Sequence, residues 1–265
     1  MMQTKQKKIW IGTAALCLAV AALLGVWSTV DWLNRPGIPV YMYHSINETP
    51  LSADTALSVR PDDFEVQLQF YQESGYTAIT AEELPKADKV KKPIVITLDD
   101  GYEDNYTNAY PLLKKYNMKA TIFVVTDEIG KAGYLTKEQI KEMTQSGVIQ
   151  IGSHTASHLN LKQISPSDAD AQLQSSKQIL SDLLGEEVTA VSYPGGFWNR
   201  EIARQAEKYY DIAFITFGAH TYEKDKRYQV PRAGIFRETT LAKVKKITKE
   251  RSKSKAQHIM DILGM

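Results

Sequence analysis

Residues 94–101 read IVITLDDG, an apolar run that ends in two adjacent carboxylates and a glycine. The run has no polar alternation, the pattern of a strand buried on both faces. Five more runs of this kind occupy residues 39–43, 120–125, 148–151, 188–193 and 212–217. Helical patterns lie between them at residues 61–74, 107–116, 137–146, 167–184 and 200–209. Gly75, Gly147 and Gly185 follow three of these, as helix stops do. Strand and helix in alternation predict an α/β fold, a parallel sheet or barrel with helices outside. In a parallel barrel the C-terminal strand ends share one face, where active sites form.

The residues able to do chemistry cluster at those ends. In Thr97-Leu98-Asp99-Asp100-Gly101 one carboxylate can bind a cation while the other stays available as a base. The plain alternative is an Asp-Asp-Gly turn with solvated carboxylates. Residues 152–158 read GSHTASH; on a helix His154 and His158 would share one face and reach one ion. Two imidazoles and a carboxylate leave coordination positions open, as catalytic zinc sites do. Residues 192–198 read SYPGGFW. There Gly195 and Gly196 permit close backbone approach and can present N–H groups to an oxyanion, against the alternative of a simple Pro-Gly turn. Phe197 and Trp198 are either packing residues or platforms for sugar rings. His44 ends the first apolar run, where a lone histidine is usually structural.

Composition narrows the chemistry. Among 265 residues, 32 Lys+Arg face 31 Asp+Glu, which excludes a globally basic nucleic-acid binder. A single Cys excludes a disulfide framework, a Cys-based zinc finger and a CxxC redox site. No GxSxG elbow, Walker loop or GxGxxG is present. Residues 9–30 carry no charge and follow Lys5, Lys7 and Lys8. As a helix they span ~33 Å against a hydrocarbon core of ~30 Å, so a signal-anchor is expected with the remaining chain outside the membrane. A cleaved signal peptide is the alternative, with the same topological outcome. Residues 1–8 then form a basic cytoplasmic N-terminus and 31–38 a linker. Residues 243–255 hold seven basic side chains and one acidic, Glu250: a solvated helix, or a contact to an anionic lipid or wall polymer.

Taken together, the Thr97–Gly101 and Ser153–His158 motifs resemble the NodB-homology polysaccharide deacetylases, carbohydrate esterase family 4. The resemblance covers residues 36–237, and the opening PVYMYH at 39–44 is similar to that of the poly-N-acetylglucosamine deacetylases of biofilms. It implies an irregular (β/α)7 barrel over residues 39–237, with 238–265 a basic helical tail. It further implies that Asp100, His154 and His158 bind one divalent ion, usually Zn2+, with Co2+ or Ni2+ as substitutes. Asp99 is then the general base towards the attacking water, and the Gly195 N–H an oxyanion donor. Tyr193, Pro194, Phe197 and Trp198 are expected to line the substrate.

Two departures stand out. The family's third motif usually begins with Arg, where this chain has Ser192, and the late Leu-x-His motif that supplies the acid is not evident. Arg232 is the candidate replacement that orients Asp99, and His44 the candidate acid, with His220 a weaker one. The implied activity is metal-dependent N-deacetylation of an extracellular N-acetylhexosamine polymer. Poly-N-acetylglucosamine is favoured, with peptidoglycan or chitin oligomers possible. The alternatives are a glycan-binding pseudoenzyme on the same fold and a metal amidohydrolase on non-sugar amides. No nucleic-acid partner is expected.

Overall fold

The structure is a computed structural model that describes residues 26–27, 29–30, 33–50, 54–218 and 222–263. Residues 38–251 form one compact unit. Its strands are β1 (Val40–Tyr43), β2 (Ser45–Ile46), β3 (Ser58–Val59), β4 (Thr77–Ile79), β5 (Pro93–Leu98), β6 (Ala120–Val124), β7 (Ile149–Ser153), β8 (Ala190–Ser192), β9 (Ile212–Ile215), β10 (Val230–Pro231) and β11 (Ala233–Gly234). Its α-helices are α1 (Pro61–Glu73), α2 (Tyr110–Lys115), α3 (Lys137–Gln145), α4 (Pro166–Leu184), α5 (Arg200–Glu207) and α6 (Leu241–Arg251).

The main sheet is parallel, in the order β10-β9-β8-β7-β6-β5-β1-β11, with β4 beside the first half of β5. Its two ends, β10 and β11, are consecutive in the chain and separated by Arg232 alone. Pro231 pairs with Ile215 on β9 and Ala233 with Tyr41 on β1, so the backbone at Arg232 closes the path into a barrel. With β10 and β11 counted as one broken stave, the barrel has seven staves, the irregular form that the family resemblance implies. A barrel leaves few strand edges unpaired.

Two-residue alternation sorts the side chains. Val40, Val95, Phe123, Ala190, Ile212, Phe214 and Val230 pack together inside the barrel. Their neighbours, among them Tyr41, Ile94, Ile96, Ile122, Val191 and Ala213, pack outward in the larger core with the helices. Because both faces are buried, the strands read as continuous apolar runs rather than alternating ones.

The helices form where their caps allow. Pro61 and Pro166 sit in the first turns of α1 and α4, where a missing N–H costs nothing. Thr136 and Gln139 make a reciprocal capping box on α3. Gly185, at φ +72°, ends α4. Helix α6, expected within a basic tail, packs Val244 into the outer core, and its Thr248 hydroxyl bonds the Tyr41 hydroxyl at 2.6 Å. Lys243, Lys245, Lys246 and Lys249 lie exposed on its other side, whereas Arg251 is buried and donates to the Gly218 carbonyl at 2.6 Å.

The second unit comprises residues up to 37 and from 252 onward. It contains α7 (Lys255–Leu263), which exposes Ile259, Met260, Ile262 and Leu263. Most of the expected membrane segment lies outside the described residues. Among the described residues no helix is long and apolar enough to cross a membrane.

Candidate active site

The inward register of each strand, followed to its last residue or just past it, delivers the site. Val95 and Thr97 lead to Asp99, Ala190 to Ser192, Val230 to Arg232, and Val40 to His44. On β7 the same alternation carries Gly152 inward, where a Cβ would sit 2.5 Å from the Phe123 ring, and then His154.

Asp99 is buried and held by a forked pair from Arg232: Nη1–H donates to Oδ1 at 2.6 Å and Nη2–H to Oδ2 at 2.7 Å. Arg232 also donates to Thr97 Oγ1 at 2.9 Å, Ser192 Oγ at 2.8 Å and the Ile215 carbonyl at 3.2 Å. Its guanidinium lies 5.7 Å from the centroid of Phe123 and 6.0 Å from that of Phe214. The small side chain of Ser192 leaves room for this guanidinium and bonds Asp99 Oδ2 at 3.2 Å. Thus Ser192, where the resemblance implies an Arg, brings a hydroxyl, and the cation on Asp99 comes from Arg232 between β10 and β11. Burial alone would raise the Asp99 carboxyl; the charge and hydrogen bonds of Arg232 outweigh it and hold Asp99 well below the usual carboxylate range.

Asp100 belongs to the opposite register and reaches the site through its backbone. Asp100 and Gly101 have φ +76° and +75°. A left-handed non-glycine residue costs about 1–2 kcal/mol. Gly101 is required twice over, since a Cβ there would also press on Val124 at 3.3 Å.

His154 and His158 do not lie on a helix, contrary to the expectation from their spacing. They flank a loop after β7 in which Thr155 and His158 have φ +66° and +55°. The loop is fastened by Asp127 N–H to the Ala156 carbonyl, the Ser157 hydroxyl to Asp127 and Ser157 N–H to Gln172. The outcome is the one a helix would have given: the rings stand 4.9 Å apart, and each Nε2 lies 3.4 Å from Asp100 Oδ1.

These three residues fit a divalent cation. Asp100 Oδ1 is buried and has no hydrogen-bond partner among the described residues. Their ligand atoms all lie within 4.8 Å of one another. His154 Nδ1 lies 2.8 Å from the Ser192 carbonyl, a bond that places the proton on Nδ1 and the lone pair on Nε2, towards Asp100. Burial pushes the His154 imidazole below its ordinary range, although Asp99 and Asp100 pull it upward. The neutral form is the ligating one.

In the 192–198 segment the outcome is divided. Tyr193 lies in the outward register; it is fully buried and its hydroxyl donates to the Tyr228 carbonyl, so it is a core residue rather than a substrate contact. Pro194 is buried as well. Phe197 is 48% exposed, and Trp198 packs partly against the core. Gly195 and Gly196 have φ +61° and +70°, and a Cβ on Gly196 would stand 2.5 Å from Thr216 N. Within this turn the Gly196 N–H bonds the Tyr193 carbonyl and the Phe197 N–H the Pro194 carbonyl. Pro194 has no N–H, so Gly195 carries the amide that these bonds do not use.

His44 sits half-buried just past β1, its Nδ1 without a partner among the described residues. His220 lies outside the described residues. Sequence reasoning missed Thr97 and Ser192 as partners of Arg232, and Asp104 and Asn105 beside His44. Period-two counting from Asp99 and Arg232 would have found the first two.

A model of the family described as "Polysaccharide deacetylase" matches residues 86–215. The chain is 41% identical over 188 residues to YxkH of Bacillus subtilis, assigned to the polysaccharide deacetylases, covering 68% of this chain and 65% of that one. It thus spans about two thirds of that relative's length. It is 29% identical over 197 residues to a poly-beta-1,6-N-acetyl-D-glucosamine N-deacetylase of Staphylococcus aureus, covering 66% of this chain and 67% of the relative. Among solved structures it is similar to the deacetylase PplD of Streptococcus pyogenes, determined in complex with acetate. That match has a TM-score of 0.74 and 32% identity, over 80% of this chain and 99% of that one.

Proposed function

Because the chain belongs to the polysaccharide deacetylase family, we propose that it hydrolyses the acetamide of an N-acetylhexosamine polymer, releasing acetate and leaving a free amine. The observation that carries this reading is the juxtaposition of two differently prepared carboxylates. Asp99 is clamped by Arg232, and Asp100 Oδ1, with no hydrogen-bond partner among the described residues, faces two imidazoles at 3.4 Å.

Asp100, His154 and His158 would hold a divalent ion, Zn2+ by the nature of the donors, with Co2+ or Ni2+ as substitutes. When bound it supplies Lewis acidity at the scissile carbonyl. The chain's own residues do the rest. Asp99, kept ionised and oriented by Arg232, takes the proton of the attacking water. The Gly195 amide donates to the oxygen that gains charge as the carbonyl carbon becomes tetrahedral. His44 protonates the departing glucosamine nitrogen as the C–N bond breaks. Phe197 offers an exposed ring to a neighbouring sugar.

The substrate reading is poly-β-1,6-N-acetylglucosamine, supported by the named activity of the Staphylococcus aureus relative and by the 39–44 opening. An extracytoplasmic location is supported by the uncharged stretch at residues 9–30 and the lysines before it. The test is acetate release by the purified chain from β-1,6- and β-1,4-linked N-acetylglucosamine oligomers, with Zn2+ or Co2+ and after chelation. Metal-dependent release that favours the β-1,6 oligomer supports the full reading. Preference for β-1,4 oligomers moves the substrate to peptidoglycan or chitin. Tight binding with no release on any polymer would replace the enzyme by a glycan-binding protein.

A further inference from the structure

His44 is assigned a proton to deliver, yet its Nδ1 has no hydrogen-bond partner among the described residues. The backbone that carries the imidazole must therefore fix its place. That backbone is held by side chains from one short segment. Asn105 Nδ2 donates to the His44 carbonyl at 2.8 Å. Ser45 Oγ donates to Asp104 Oδ2 at 2.5 Å, and Ile46 N–H to Asp104 Oδ1 at 3.0 Å. Asn108 Nδ2 donates to the Ile46 carbonyl at 2.7 Å. Asn105 Nδ2 also bonds Asp104 Oδ1 at 3.0 Å, which ties the two holding residues together.

Asp104 and Asn105 are buried to 2% and 0% exposure. Burying a carboxylate and an amide is costly unless they are bonded; the Asp104 carboxylate and the Asn105 Nδ2 bond residues 44–46 and each other, while Asn105 Oδ1 has no partner among the described residues. The holding segment is a π-helical turn, Asn105–Ala109, in which the Tyr110 N–H bonds the Asn105 carbonyl five residues back. Pro111 follows it, without the N–H that would bond the carbonyl of Thr107 in an α-helix. Single π-turns of this kind concentrate at functional sites. Asp104, the first holding residue, stands three positions after Gly101 of Asp99-Asp100-Gly101. One stretch of ten residues thus carries the base and a metal ligand at its start and the grip on the acid at its end.

We propose that Asp104 and Asn105 are positioning residues that hold His44 at the distance from Asp99 needed for proton delivery to the leaving amine. This rests on the reading of His44 as the acid. The chemistry supplies a selective readout. Breaking an amide requires protonation of a basic amine, whereas an aryl acetate expels p-nitrophenolate without an acid.

The experiment compares Asn105→Ala, Asn108→Ala, His44→Ala and the double variant Asn105→Ala/His44→Ala as metal-loaded full-length chains. The substrates are an N-acetylglucosamine oligomer and p-nitrophenyl acetate. His44→Ala is expected to lower kcat on the oligomer by about 10²–10⁴-fold. Asn105→Ala should lower it by roughly 10-fold or more with KM within about twofold, since only the step that uses the acid is affected. Asn108→Ala, which loses one bond at the edge of the grip, should give a smaller loss of the same kind. Asn105→Ala and Asn108→Ala should keep their metal content and their rate on p-nitrophenyl acetate, and on the oligomer the double variant should be no slower than His44→Ala alone.

A double variant at least tenfold slower than His44→Ala would overturn the positioning role, as would equal losses on both substrates. If Asn105→Ala does not fold, unchanged oligomer kcat in Asn108→Ala refutes the grip. Full activity of His44→Ala refutes the acid assignment itself, and is told apart because the Asn105 variants then have nothing to act through.

Discussion

Replacing Arg232 by Gln is the sharpest perturbation of the candidate site. The guanidinium makes two short bonds to Asp99, at 2.6 and 2.7 Å, with no solvent contact of its own. Gln can refill part of the volume but brings no charge. Breaking a buried ion pair from one side costs about 3–5 kcal/mol, because the other charge stays buried without compensation. Asp99 can escape that cost by taking up a proton. At 1.36 kcal/mol per pKa unit, the cost corresponds to a rise of roughly 2–4 pH units in its titration. The sign follows from the native state. Arg232 depresses the Asp99 carboxyl, so the wild-type base stays ionised across the assay range. In Arg232→Gln the base is protonated first as pH falls, and kcat/KM should drop on the acid side and recover as pH rises. A bound cation beside Asp100 acts on Asp99 in both proteins and leaves the difference in place.

The assay is acetate release against pH from 4.5 to 9, with a thermal melt alongside. For a domain of this size 1 kcal/mol moves Tm by about 2–4 °C, so a fall of roughly 6–20 °C is expected. Arg232→Lys, which keeps the charge but loses the fork, should lie between. An acid limb that stays in place in Arg232→Gln, with Tm within 2 °C of wild type, would refute the view that this pair prepares the base.

His154→Ala should remove the bound divalent ion, read by elemental analysis, and with it all turnover, whereas Asp99→Asn should keep the ion and lose about 10²–10⁴-fold in kcat. Chelation followed by Zn2+ or Co2+ should abolish and then restore acetate release; activity that survives complete metal removal would contradict the site. Tyr193→Phe loses only the bond to the Tyr228 carbonyl, so it should cost about 1 kcal/mol in a denaturant melt and leave KM unchanged; a raised KM would return Tyr193 to the substrate. Gly196→Ala puts a methyl against Thr216 at a left-handed position and should destabilise the chain by about 1–3 kcal/mol, with little change if the turn can open.

Much of this architecture was legible in the sequence, for physical reasons. Strands buried on both faces must be apolar throughout, so β1 and β5 to β9 announced themselves as runs. The short strands β2, β3, β4, β10 and β11 did not, since they lie in no longer apolar run, whereas three-residue β8 sits within the run 188–193. Asp99, Asp100, His154 and His158 were legible because a barrel concentrates function at strand ends, and few types of side chain bind metals or move protons.

What the sequence could not state was direction. Tyr193 and Ser192 are neighbours, yet one faces the helices and the other the lumen, and only the register of β8 decides which. His154 and His158 have helical spacing, but two left-handed residues bring them together in a loop, because β7 ends there and Asp127 and Gln172 fasten the turn. Arg232 lies 133 residues from Asp99 in sequence. Their pairing follows from barrel closure, in which β10 and β11 seal the first stave to the last and leave the one residue between them pointing at the base. The chain determined which chemical groups were present. The closed barrel determined which of them meet, because inward direction and long-range contact arise only when the strands are in register.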